Sequence, residues 1–306
     1  MKQYIIFILS ITNMYGMEKP IINRETREWN AQEYDEATTQ TTPSFLEFME
    51  QYNIKADNRT ILSAGCGTGR NENNLAQKAQ HVHGFDASKN MINYAQKTFG
   101  STKNLSFEHC FAEDFIPKKF YNLAIAAFSL HWFDDKQQAI QKISNSLDAN
   151  GEFFALVPTT DNPKSTSLIV ATEIITNLQK KTVSHPDKDL PNLADRTMQD
   201  IIVGCSYPSR QELNDILTKA SFEIIKNEEQ CFTSIMSAED IKKTHWAIFL
   251  TKPFIKELPE KTINKLFQEF ITRYIQNLSK TEDEKFLEKI YTTVIHARKI
   301  KDTMQL

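Results

Sequence analysis

Between Asn58 and Pro158 the chain alternates short apolar runs with stretches whose apolar residues recur at helical spacing. The runs Thr60–Ala64, His81–Asp86, Leu105–Cys110, Leu123–Phe128 and Glu152–Val157 read as strands. Glu72–Ala79, Lys89–Phe99 and Asp135–Leu147 read as the helices between them, and Asp148-Ala149-Asn150-Gly151 as a turn into the fifth strand. Strand and helix in strict alternation predict a parallel sheet covered by helices.

Outside this stretch the rhythm changes. Glu25–Gln51 reads as helical, with Trp29, Tyr34, Phe45, Phe48 and Met49 as its larger apolar residues. Residues 159–207 interrupt the alternation with polar and helical sequence. Ser209 with Glu212 three positions on forms a capping box that opens a helix over Ser209–Ala220. Phe222–Lys226 reads as a strand, Ala238–Asn277 as helix punctuated by Pro253 and Pro259, and β-branched Ile290–Ala297 as a final strand. The domain expectation is an extension over 1–20 and one domain over 21–306. That domain has a core at 58–158, helical insertions near 159–207 and 238–280, and a terminal strand near 290–298.

Composition narrows the function classes. At 306 residues the chain can bury a sizeable core, and 40% hydrophobic with 25% charged residues is ordinary for a globular protein. The net charge is −3 with lysines spread along the chain, so the basic stripe of a nucleic-acid binder is missing. Cys66, Cys110, Cys205 and Cys231 show no zinc-ligand spacing and read as reduced thiols. The apolar run Tyr4–Ile11 resembles a signal peptide in outline. It lacks a small-x-small cleavage site and is too short to span a bilayer. The expectation is a cytoplasmic protein without stable membrane insertion, with export open if that segment is a true signal.

ILSAGCGTGR, residues 61–70, places Gly65, Gly67 and Gly69 between a strand and a helix, where backbone amides and a helix N-terminus can face a ligand. A dinucleotide fingerprint needs a third glycine three residues after the second, and Arg70 stands there. The segments GFDASKNMINYAQ, CFAEDF, AIAAFSLHWF and DANGEFFALV follow in order. Together these five motifs resemble a class I S-adenosylmethionine-dependent methyltransferase.

The resemblance implies a Rossmann-like α/β fold. Its sheet would be seven-stranded and mainly parallel, in the order 3-2-1-4-5-7-6 with the last strand antiparallel, flanked by an N-terminal helix and a helical cap. It implies S-adenosyl-L-methionine as cofactor, held by Tyr34, Gly65, Cys66, Gly67, Gly69, Asp86, Ala87, Met91, Ala112, Glu113, Asp114 and Ser129. Within that set Asp86 would accept the ribose hydroxyls, since two carboxylate oxygens suit a vicinal diol. Asp114 is preferred for the adenine amino group. The family usually carries an acidic residue two positions before the first glycine, and here it is Ser63. Either hydroxyl and water replace that carboxylate, or the chain is a catalytically silent binding relative.

SLHWFDD, the helical segment from Trp246 and the strand IYTTVIHARK are similar to trans-aconitate and juvenile hormone acid methyltransferases, which esterify carboxylates. WNAQEYDEATTQ resembles their N-terminal closing helix. This implies a small organic acid as partner, with Gln40, His131 and Trp132 at the acceptor and Trp246 and the cap phenylalanines as apolar walls. Methylation of another oxygen, nitrogen or carbon acceptor is the alternative, with His131 then available as a base.

Overall fold

The computed structural model describes residues 29–38, 45–184, 205–249, 255 and 258–300. Two helices, α1 (Ala31–Thr38) and α2 (Phe45–Gln51), precede the sheet. Then β1 (Thr60–Ala64), α3 (Arg70–Ala76), β2 (His81–Asp86), α4 (Lys89–Phe99), β3 (Leu105–His109), β4 (Tyr121–Ala127), α5 (Lys136–Asn145) and β5 (Leu147–Val157) follow the predicted alternation. After helix α6 (Thr166–Ser184) come α7 (Arg210–Lys219), β6 (Phe222–Met236), α8 (Ala238–Phe249), α9 (Glu260–Gln276), the two-residue β7 (Ser279–Lys280) and β8 (Phe286–Lys299).

The strand order is β3-β2-β1-β4-β5-β8-β6, with β7 paired to β8. The β1 to β5 ladders are parallel, and β8 runs antiparallel between β5 and β6. This is the expected order and direction, with short β7 added off the main path. The fold is Rossmann-like, a mainly parallel sheet with one antiparallel strand and flanking helices. Central strands are buried on both faces, as parallel sheets require. Phe153 and Phe85 face α5 and α7, while Ile61 and Phe154 face α2 and α3. Ser88, Asp135 and Ser209 each cap a helix by accepting from a backbone amide three residues on.

Several predicted elements shift by one to three residues at their ends, the described part of 25–51 holds two separate helices, and three further differences are larger. Strand β5 begins at Leu147, and Asp148–Gly151 loop out between the pairs Tyr121–Leu147 and Leu123–Glu152, with Asn150 at a φ of 66°. Strands β6 and β8 are much longer than their apolar signals. Their pairing runs from Phe222–Lys299 out to Met236–Phe286, past the last rung that β8 shares with β5 at Thr293. The predicted helix over 238–277 is two helices, and Pro259 is the N-cap of the second.

The overhanging β6–β8 ribbon carries the cap. Met236 and Phe286 at its far end join Val170 and Ile174 of α6, Ile241 of α8 and Phe267, Phe270 and Tyr274 of α9 in a separate apolar core. At the opposite end of the sheet Glu152 receives the Arg59 guanidinium, and Nε2 of His296 lies 3.1 Å away. The His296 hydrogen bond, aided by Arg59 and opposed by burial, pulls the Glu152 carboxyl down to about 2. Among the described residues no helix is long and apolar enough to cross a membrane. The expectations on 1–20, on 25–28 and 39–44, on 185–204 and on Pro253 lie outside the described residues.

Candidate ligand-binding site

A pocket opens at the carboxyl ends of β1, β2 and β4, where open α/β sheets bind ligands. The glycine loop after β1 forms its floor, with Gly65, Gly67 and Gly69 all at positive φ. They do different jobs. A Cβ at Gly65 would lie 2.4 Å from Ser129 Cβ, and one at Gly69 would lie 2.6 Å from Phe107 Cζ. Those two glycines are forced by packing within the protein. A Cβ at Gly67 would meet nothing within 4 Å, and Gly67 lines the pocket. Gly67 alone leaves its space to a ligand.

Asp86 ends β2 beside this loop. Its Oδ2 accepts from the Gly67 amide at 2.9 Å and its Oδ1 from the Ser88 amide at 2.8 Å. A carboxylate offers about four acceptor directions, so these two amide bonds are compatible with accepting from the hydroxyls of a diol. Ala87 and Met91 line the same side. Ala112 and Glu113 approach from the turn after β3, and Glu113 is buried, its Oε1 accepting from the Asp135 amide at 3.1 Å. Asp114, the residue preferred for adenine, is exposed and outside the lining, because the 3-10 turn over Ala112–Asp114 points it away.

Ser129 closes the pocket from the end of β4 and donates to the Ala64 carbonyl at 2.6 Å. Trp132 lines the pocket and His131 does not. His131, in the 3-10 turn Leu130–Trp132, is buried off the lining, its ring 5.4 Å from those of both Trp132 and Tyr207. Cys66 also lies off the lining, its side chain toward Gly84, where burial pushes the thiol up. Gln40 lies outside the described residues. Trp246 packs into the cap core, 4.7 Å from Phe267, instead of walling the pocket.

Tyr34, from the middle of α1, lines the pocket. Phe111, Phe128 and Phe133, inside the motifs, and Trp29, just ahead of α1, line it as well without being singled out as site residues by the sequence. The Trp29 ring stands edge-on to Tyr34 at 5.2 Å and to Trp132 at 5.5 Å. Burial, with Asp86 and Asp35 nearby, raises the Tyr34 phenol.

Beneath the loop, buried Ser63 donates to Glu72 Oε1 at 2.6 Å. A carboxyl therefore does stand beside Ser63, supplied by the first turn of α3. Glu72 Oε2 is buried without a hydrogen-bond partner, and burial foremost pushes the group up to about 7.

The donor set fits an adenosyl cofactor with a cationic centre. A diol-competent carboxylate, a ligand-facing glycine and an aromatic wall converge, and the described lining has acids but no lysine, arginine or histidine. No group of three or more potential metal ligands occurs among the described residues.

Comparison with known proteins agrees with this geometry. The family described as "Methyltransferase domain" matches residues 61–151. A methyltransferase-family protein of Invertebrate iridescent virus 6 (235L) is 28% identical over 155 residues, covering 50% of this chain and 54% of the viral one. Malonyl-[acyl-carrier protein] O-methyltransferase 1 of Ilyobacter polytropus is 28% identical over 105 residues, 34% of this chain and 37% of its own. The chain thus spans about half or less of the length of these relatives. Among solved structures, a protein of Bacillus halodurans C-125 described as a methyltransferase aligns with a TM-score of 0.51 at 14% identity, over 85% of this chain and 100% of that one. The [4+2]-cyclase SpnF aligns with a TM-score of 0.50 at 16% identity, over 83% and 80%. At such identities the likeness bears on the fold alone, and the fold hosts more than one chemistry.

Proposed function

We propose that this chain, whose residues 61–151 form a methyltransferase domain, is an S-adenosylmethionine-dependent methyltransferase that esterifies a small carboxylic acid. Asp86 and Gly67 hold the cofactor, with Ala112 and Glu113 toward its base and Ser129 at the loop. When bound, S-adenosylmethionine supplies an electrophilic methyl group on a sulfonium. The acidic lining suits that positive charge.

One observation carries the acceptor class: the described lining holds no histidine, lysine or arginine to act as a base. Asp86 and Glu113 are engaged with backbone amides. Burial raises the Tyr34 phenol and the Cys110 thiol. A phenol, alcohol or protonated amine would need a proton removed first. A carboxylate arrives as a nucleophile and needs only desolvation and orientation. Trp29, Trp132, Phe111 and Phe133 provide the apolar enclosure for that. The O-methyltransferase name of the Ilyobacter relative supports an oxygen acceptor.

The test is transfer from methyl-labelled S-adenosylmethionine to a panel of carboxylic acids, with Trp132→Ala and Gln40→Ala as controls. Label in a base-labile product, reduced in the variants with cofactor affinity kept, is expected. Label only in base-stable products of amines or phenols would overturn the acceptor class.

A further inference from the structure

Asp35 is buried in the middle of α1, yet its carboxylate reaches out of the helix to three other segments. Oδ1 accepts from Thr68 Oγ1 at 2.9 Å and from Arg70 Nε at 3.0 Å. Oδ2 accepts from Arg70 Nη2 and, at 3.0 Å, from the Tyr94 hydroxyl. Thr68 belongs to the glycine loop, Arg70 opens α3, and Tyr94 lies on α4. Burial pushes the Asp35 carboxyl up, but the bonds from Arg70, Thr68 and Tyr94 outweigh it and hold the group below its ordinary value.

The position of these contacts is what matters. Tyr34 lines the pocket one residue before Asp35, and Trp29 lines it just ahead of the same helix. Thr68 follows Gly67, whose amide is held by Asp86. Helix α1 also packs on cap helix α8. The two pocket walls, aromatic lid and glycine floor, are therefore joined at one buried carboxylate that does not itself line the pocket.

We propose that Asp35 and Arg70 are positioning residues that latch α1 over the pocket and set how long a bound adenosyl ligand stays. The ligand identity rests on the reading given above; the latch itself is a property of the fold. A bidentate arginine–carboxylate pair gives a single geometry, and burial on the Asp35 side protects it from screening. Breaking it frees Tyr34 and Trp29 to swing away from the floor. Release then quickens more than association, because Tyr34 and Trp29 no longer hold the bound ligand against the floor while the approach to the pocket is unchanged.

The experiment compares wild type with Asp35→Asn, Arg70→Met and the milder Tyr94→Phe. Amide hydrogen exchange is followed over 31–38 in the ligand-free proteins, and S-adenosylhomocysteine release is timed by stopped flow. Expected are faster exchange confined to 31–38 and release at least tenfold faster in Asp35→Asn and Arg70→Met, with a smaller effect in Tyr94→Phe. The double variant should release no faster than either strong single variant, since both remove one contact. Unchanged exchange over 31–38 would overturn the latch, and so would loosened exchange with unaltered release. Failure of wild type to bind S-adenosylhomocysteine would refute the ligand and the dwell-time role, while exchange over 31–38 would still report whether Asp35 holds the helix.

Discussion

The Glu72 carboxyl sits under the glycine loop with one oxygen on Ser63 and the other without a partner, a costly place for a charge. Its folded value near 7 exceeds its unfolded one, so the folded state binds the extra proton. Stability from this group is complete below about pH 4.5 and declines as pH rises through 7, by about 3 kcal/mol in total. Glu72→Gln keeps an acceptor for Ser63 and removes the titration. Urea unfolding should show the variant gaining on wild type by about 2–3 kcal/mol between pH 4 and pH 8. Parallel stability curves would contradict this. Asp86 and Gly67 were legible in the sequence because strand, loop and acid lie close along the chain. Glu72 and Asp35 were not, because their meaning depends on which helix docks beside which loop. His131 and Trp132 are neighbours in sequence, and only the turn decides that Trp132 faces the pocket.

At the scale of elements, β1 to β5 and their helices follow the apolar pattern because the central strands are buried on both faces, with edge strand β3 only partly so. The ends of β6 and β8 escaped it. Segment 227–234, NEEQCFTS, is polar because much of this ribbon overhangs the sheet with half-exposed positions. Strand β8 ties the molecule together: Val294, Ile295 and Ala297 are fully buried between β5 and β6. Removing everything after Lys289 should abolish cooperative unfolding, and a truncated chain that melts like the full one would contradict the topology. Glu152 pins β5 to β8 and to the residue before β1. Because its carboxyl is held down to about 2, its stabilisation is present above about pH 4.5 and fades as pH falls through 2. Glu152→Gln should cost about 1–3 kcal/mol at neutral pH and little at pH 2, measured by denaturant titration.

The molecule as a whole is a nucleotide-type sheet edge joined to a helical cap by the β6–β8 ribbon, with α1 packed between them. On the proposed reading the sheet edge carries the cofactor chemistry, and its residues lie in motifs that are ordered along the chain. On that reading the acceptor side draws on Trp29 and Trp132, which lie about a hundred residues apart along the chain and meet only in the fold. The central claim is that this edge binds S-adenosylmethionine, and calorimetric titration tests it most directly. Wild type should bind S-adenosylmethionine and not NAD, and Asp86→Ala should weaken that binding by roughly 1.5–3 kcal/mol, on the order of 10- to 100-fold, through the lost charge-assisted ribose bonds. Tight NAD binding with no heat from S-adenosylmethionine would contradict the account.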